Sequence, residues 1–191
     1  VGMTLCLDPR AFCPMKNFVE SPYGFCRKGL PEAVNFPVTM APMVGLSHFA
    51  FRQLVREYLP RGAETLWPSE MLNSRRIPDE NLSEIPEAMR AEEESFWVPQ
   101  ILANEEEKIK ASLPKLFDHG AQGVDINMGC PVRKALKHNY GVSLMGDADY
   151  AARVVEATVK HSPGPVSVKL RGVDSSREDW IRFVKKLESA G

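Results

Sequence analysis

The residues best suited to chemistry gather in one short run, Asp125-Ile126-Asn127-Met128-Gly129-Cys130-Pro131. An apolar stretch leads into it, Gly129 before the thiol permits an unusual backbone angle, and Pro131 stiffens the exit. A thiol so placed has three readings: nucleophile, general acid, or a small buried side chain, the last being common for free cysteine. A nucleophilic thiol usually needs an activating base, most often histidine. His138 and His161 are present, but neither falls at an obvious strand end. A proton donor needs no such partner, so position favours an acid over a nucleophile.

Other polar residues stand at the ends of apolar runs. Lys169 lies inside Val166-Ser167-Val168-Lys169-Leu170, where a solvated lysine is not expected. Either this is an edge strand whose lysine snorkels outward, or the ammonium points into a pocket toward an anion, an electron-rich ring or a carbonyl. The second reading is favoured, with Arg171 on the same side of a regular strand. Gln100, after Pro99, offers amide donors and acceptors to a planar heterocycle. The turn Ala41-Pro42-Met43 brings backbone groups and a thioether to a strand end. Glu70, Asn73 and Arg52 are read first as surface residues, and the pair Arg133-Lys134 as a solvated face.

The elements that must position these residues follow from periodicity. Phe36–Met43 predicts a buried strand, and Ser47 an N-cap for a helix through Phe51, Leu54, Val55 and Tyr58. Further strands are expected over 65–72 (weakened by Pro68), 96–102, 123–127 and 165–171. Helices are expected over 105–119, with Pro114 a possible kink and Gly120 at its C-terminal end, over 147–161, and over 177–190. The last carries Trp180, Ile181, Val184 and Leu187 on one face. Ile77–Ser95, rich in Glu and broken by Pro78 and Pro86, reads as a surface excursion. Residues 1–35, broken by Pro and Gly, read as an irregular N-terminal extension, leaving 36–191 as one domain.

Alternating strands and helices with near-continuous apolar strands indicate a parallel α/β fold. No GxGxxG follows any strand, which counts against a dinucleotide fold. Met43, Glu70, Gln100, Asn127, Cys130 and Lys169 fall at C-terminal strand ends, where (β/α)8 barrels keep their chemistry. The pattern holds about five strand-helix units where a closed barrel has eight, so a truncated TIM-type barrel is expected.

Composition sets outer bounds. The 191 residues are 43% hydrophobic and 26% charged, ordinary for a globular domain. No apolar run reaches the ~20 residues of a membrane span, and no secretory pattern opens the sequence. A cytoplasmic protein without a membrane partner is the reading. The net charge of -1 carries no global basic signature, so charge alone argues for neither DNA nor RNA. Cys6, Cys13 and Cys26 match no CxxC-type spacing, and no metal is expected.

Taken together, these motifs resemble the tRNA-dihydrouridine synthases. Ala41-Pro42-Met43-Val44-Gly45 with Phe51-Arg52 resembles the family's opening strand and first helix. Asp125 to Val132 with Lys134 resembles its cysteine motif, and Gly141, Leu144, Met145 and Val166 to Arg171 fit the segments that follow. Two departures are a single glycine in Asn139–Ser143 and a short run after Lys169. The resemblance implies FMN in a barrel, NADPH as its reductant, and a tRNA uridine as substrate. It also implies Cys130 as proton donor, Asn127 at the substrate base, Ala41, Pro42 and Met43 against the flavin ring, and Gln100 and Lys169 hydrogen-bonded to it. Alternatives are an FMN barrel reductase of a small molecule, or a non-catalytic remnant that keeps flavin or RNA contacts.

Overall fold

The computed structural model of the chain describes residues 33–36, 38–172 and 176–191. The expectations for Cys6, Cys13 and Cys26, and for most of the 1–35 extension, lie outside them. In chain order the elements are α1 (Phe49–Glu57), β1 (Trp67–Asn73), β2 (Trp97–Leu102), α2 (Glu106–Asp118), β3 (Val124–Met128), α3 (Arg133–Lys137), α4 (Ala148–His161), β4 (Val166–Leu170) and α5 (Arg177–Glu188). Short 3-10 turns occupy Ile77–Asp79 and Gly141–Gly146.

The strands form one parallel sheet in the order β1-β2-β3-β4. Each strand lies beside its successor, as in a (β/α)8 barrel and unlike a doubly wound sheet, whose order reverses at a switch point. The structure is a partial barrel of that type. Strand β3 is buried on both faces. Val124, Ile126 and Met128 join the apolar core with Ile109, Leu113 and Leu116 of α2 and Val154 and Val155 of α4. Asp125 and Asn127, at the alternate positions, point the other way. Helix α2 packs on α4, and α4 on α5.

Local signals account for the helix ends. Asp147 caps α4 by accepting from the Tyr150 amide at 2.9 Å, and Ser176 caps α5 by accepting from Asp179 N at 3.1 Å. Gly120, at φ +102°, closes α2, with Ala121 N bonded to Leu116 O and Gly120 N to Phe117 O; that pairing needs a left-handed residue. Pro114 lies inside α2, which continues to Asp118.

Several expectations change. The predicted opening strand is not a strand: the stretch beside β1 is tied by Thr39 Oγ1 to Leu66 O at 2.6 Å and by Thr65 Oγ1 to Val38 O at 2.7 Å. Side chains replace a ladder there, and the described residues hold four strands. Ser47 does not cap α1, whose N-cap is His48. The Ile77–Ser95 stretch is no surface excursion, since Ile77, Leu82, Ala88 and Glu94 are all buried; acidic composition hid the inward residues. Ile181 is 41% exposed while Val184 and Leu187 are buried, so the buried stripe of α5 is narrower than predicted. Val34 is buried and Asn35 bonds Glu64 N and Gly62 O, so the end of the predicted extension belongs with the domain.

Candidate active site

Parallel register places Met71 beside Gln100, Gln100 beside Asp125, and Asp125 beside Ser167. Asn127 faces Lys169 in the next row of the same face. Because side chains alternate, these residues share the face away from the helices. Gln100, Asp125, Asn127 and Ser167 form a continuous chain of hydrogen bonds. Ser167 Oγ donates to Asp125 Oδ1 at 2.7 Å, and Gln100 Nε2 donates to Asp125 Oδ2 at 2.5 Å. Asn127 Nδ2 donates to Gln100 Oε1 at 2.7 Å. Asn127 Oδ1 then accepts from Gly129 N at 3.0 Å and Cys130 N at 2.9 Å. One asparagine thus ties the sheet to the turn that carries the thiol.

Burial pushes the Asp125 carboxyl up, against the hydrogen bonds from Gln100 and Ser167 and the Lys169 charge, which pull it down. Gln100 is 0% exposed, and both ends of its amide are engaged within the chain. It serves here as a link. Strand β1 contributes through a bulge between Pro68 and Met71; the proline cannot donate to the ladder. Ser69 Oγ there accepts Gln100 N at 3.1 Å.

Cys130 is a free, buried thiol. Its carbonyl accepts Val142 N at 3.0 Å. Gly141, at φ +57°, passes so close that an added Cβ would lie 2.5 Å from Cys130 O, so only glycine fits. Arg171 Nε donates to Gly129 O at 3.0 Å, bracing the turn from beyond β4. Cys130 packs with Ala135 and Tyr140, and against Met71 and Leu102. All four line a cleft of about 380 Å³ at the C-terminal ends of β1 and β2. The thiol therefore stands directly behind the cleft wall.

The Ala41–Met43 turn is set by Ser47, whose Oγ accepts Met43 N at 2.8 Å and donates to Met43 O at 3.0 Å. Met43 is 41% exposed, and Gly45 N, just after the turn, donates to Glu70 Oε2 at 3.0 Å. The surface readings of Glu70 and Arg52 do not hold: both are buried. Arg52 donates Nε to Glu94 Oε1 at 2.7 Å, Nη2 to Glu94 Oε2 at 3.1 Å, Nη1 to Ser47 O at 2.9 Å, and Nη2 also to Met89 O. Asn73 is a turn former, its Oδ1 accepting Arg75 N at 2.9 Å. Arg133 and Lys134 are exposed, as expected. His161 pairs with Glu106 on the outer surface, far from a base's role at the thiol.

Ser167 sits two residues before Lys169, and its place beside Asp125 follows from alternation once the register is known. Ser69 and Tyr140 carry no sequence signal of their own. Among the described residues, no group of His, Cys, Asp and Glu is arranged to hold a metal ion, and no helix is long and apolar enough to cross a membrane.

Fold and site define a partial (β/α)8 barrel that presents one thiol, from a polar relay, at the C-terminal end of its sheet. Residues 39–191 match the family model for dihydrouridine synthase. The chain belongs to the dihydrouridine synthase family. It is 31% identical over 156 residues to the probable tRNA-dihydrouridine synthase 1 of Synechocystis sp., covering 81% of this chain and 42% of that protein. It is 34% identical over 156 residues to a probable tRNA-dihydrouridine synthase of Rhizobium leguminosarum, covering 81% and 47%. To tRNA-dihydrouridine synthase B of Pseudomonas aeruginosa it is 31% identical over 154 residues, covering 80% and 45%. The chain spans less than half the length of these relatives.

Proposed function

We propose that this chain supplies the thiol side of the active site of a tRNA-dihydrouridine synthase. In that reaction the C5–C6 double bond of a tRNA uridine is reduced with FMN and NADPH. The observation that carries the reading is the Asn127–Cys130 turn, hydrogen-bonded to the sheet and set against the cleft. The residues fit an FMN ring. Pro42 and the exposed Met43 thioether offer a flat apolar platform beside Ala41, and Lys169, half-buried on the inner face, offers a cation to an electron-rich edge. Gln100, tied to Asp125 and Asn127 on the same face, keeps a second amide N–H that could reach the flavin ring.

When bound, FMN that NADPH has reduced supplies the hydride taken up at C6 of the uracil. Charge then builds on C5 and the adjoining carbonyl. Cys130 would deliver its proton to C5 and remain in place as thiolate, so one hydride and one proton saturate the bond. Asn127 holds the Cys130 amide and thereby the direction of the thiol, and its amide would contact the substrate base. A uridine stacked in folded tRNA must leave its stack to reach such a site. With tRNA as substrate, the place of work is the cytoplasm.

The test uses the enzyme containing this chain, NADPH and unmodified tRNA, with dihydrouridine read by mass spectrometry of the nucleosides. Cys130→Ala is expected to keep bound flavin and its bleaching by NADPH, yet form no dihydrouridine. Full turnover by that variant removes Cys130 from the mechanism. Activity on small enones with none on tRNA favours a small-molecule reductase instead.

A further inference from the structure

Cys130 is held from three sides, and two of them, Asn127 and Gly141, belong to its own motif and the segment after it. The third is Tyr140, which is 1% exposed and packs on Cys130 and Ala135. Its buried hydroxyl faces the Ser74 side chain just past β1, and burial pushes its pKa up against the pull of Ser74 and the Arg75 charge. Asn139 and Gly141, on either side, are both at φ +57°, a conformation that asparagine and glycine adopt more readily than other residues. The ring is also held from outside the loop.

That role falls to Arg75. Its guanidinium carbon lies 5.2 Å from the Tyr140 ring centroid, within cation–π range. Its Nη1 stands 3.3 Å from His138 Nδ1, and its Nη2 donates to the Glu105 carboxylate. Arginine donates only, so the Nδ1 facing it acts as an acceptor. Asn73 Oδ1 fixes the Arg75 amide just past β1, and Glu105 is the N-cap of α2, just past β2. Asn104 Nδ2 donates to His138 O at 2.8 Å, completing the grip on the loop. One guanidinium therefore joins the ends of two strands to the segment backing the thiol.

We propose that Arg75 is a positioning residue for Cys130: by stacking on Tyr140 it clamps the 138–141 loop and so fixes the thiol against the cleft. Arg75 itself touches no reacting atom. A part-exposed pair such as Arg75–Glu105, with side chains 34% and 45% exposed, holds little by itself; the buried ring is what the cation secures. The link to catalysis rests on Cys130 being the proton donor, but the clamp does not.

The test reads the thiol directly. Alkylation of Cys130 by iodoacetamide, mapped by peptide mass spectrometry to separate it from Cys6, Cys13 and Cys26, is followed in the intact chain. Arg75→Gln, which loses the cation at similar size, is expected to speed Cys130 alkylation about tenfold. Arg75→Lys, which keeps a cation over the ring, is expected to stay within about threefold of wild type. Melting temperatures of both variants check that the change is local, and if Arg75→Gln fails to fold, Tyr140→Leu offers the same loss of stacking. In the tRNA assay, Arg75→Gln is expected to lower kcat about tenfold while leaving the KM for tRNA and flavin reduction by NADPH unchanged. Wild-type alkylation rates in Arg75→Gln overturn the clamp. Faster alkylation in an enzyme that makes no dihydrouridine leaves the clamp standing and sinks the proposed function.

Discussion

Arg52 and Asp125 are both ionisable side chains taken out of water, yet the networks around them have different shapes. The Arg52 network closes on itself. The guanidinium and Glu94 are each 0% exposed, and their remaining bonds end on backbone groups of Ser47, Met89 and Ala91. It joins α1 to the 86–94 stretch and, through Ser47, steadies the Ala41–Met43 turn. The Asp125 network stays open. It starts at Ser167, passes Gln100 and Asn127, and ends on the amides of Gly129 and Cys130, with the Lys169 charge acting on it from the next strand. A closed network serves architecture, because every group is satisfied and nothing is left to act. An open one transmits order from the sheet to a group at its end, here the thiol.

Breaking the closed network is expected to have the largest effect. Arg52→Ala leaves Glu94 charged and buried without its partner, and we expect a loss of about 3–5 kcal/mol in chemical unfolding. A variant losing less than about 1 kcal/mol would mean that water reaches Glu94 and the network is not closed. Asn127→Ala cuts the open network at its midpoint, orphaning Gln100 Oε1 and two turn amides. The expected cost is about 2–3 kcal/mol of stability, together with loss of dihydrouridine formation. If stability falls while activity stays, the relay is architecture after all and the contrast with Arg52 disappears.

The smallest effect sharpens the contrast by its pH dependence. The folded-state pKa of Asp125 is raised above the ordinary value of an aspartate, 3.8, by burial. Its contribution to stability is therefore complete below 3.8 and is lost as pH rises through the raised value. The Ser167 hydrogen bond favours the charged carboxyl and limits that loss. Ser167→Ala is thus expected to cost about 1 kcal/mol at neutral pH, with its unfolding curve converging on wild type as pH falls toward 3.8. A cost that is flat across pH would show that Asp125 does not change its protonation state there.

Much of this is legible in the sequence. Alternation along Val124–Met128 separates a helix-facing set from Asp125 and Asn127, and short apolar runs between amphipathic stretches place the chain among parallel α/β folds. The position of Cys130 just past the predicted strand 123–127, and of Lys169 within the next, 165–171, is a matter of counting. Other features were not legible, for physical reasons. The Ile77–Ser95 stretch looks polar because Glu dominates it, and its inward residues follow no single period. Arg52 and Glu94 look like surface charges because burial of a pair depends on two segments meeting, which neither segment announces.

Sequence by itself determined the class of fold, the thiol and its turn, since these rest on local periodicity and backbone stereochemistry. Tertiary structure alone decided what holds the thiol. Gln100 meets Asp125, and Asp125 meets Ser167, only because three strands far apart in the chain lie in one register. Arg75 reaches Tyr140 only because the ends of β1 and β2 converge on the same loop. Such contacts are set by how elements pack, and a one-dimensional pattern carries no measure of that distance.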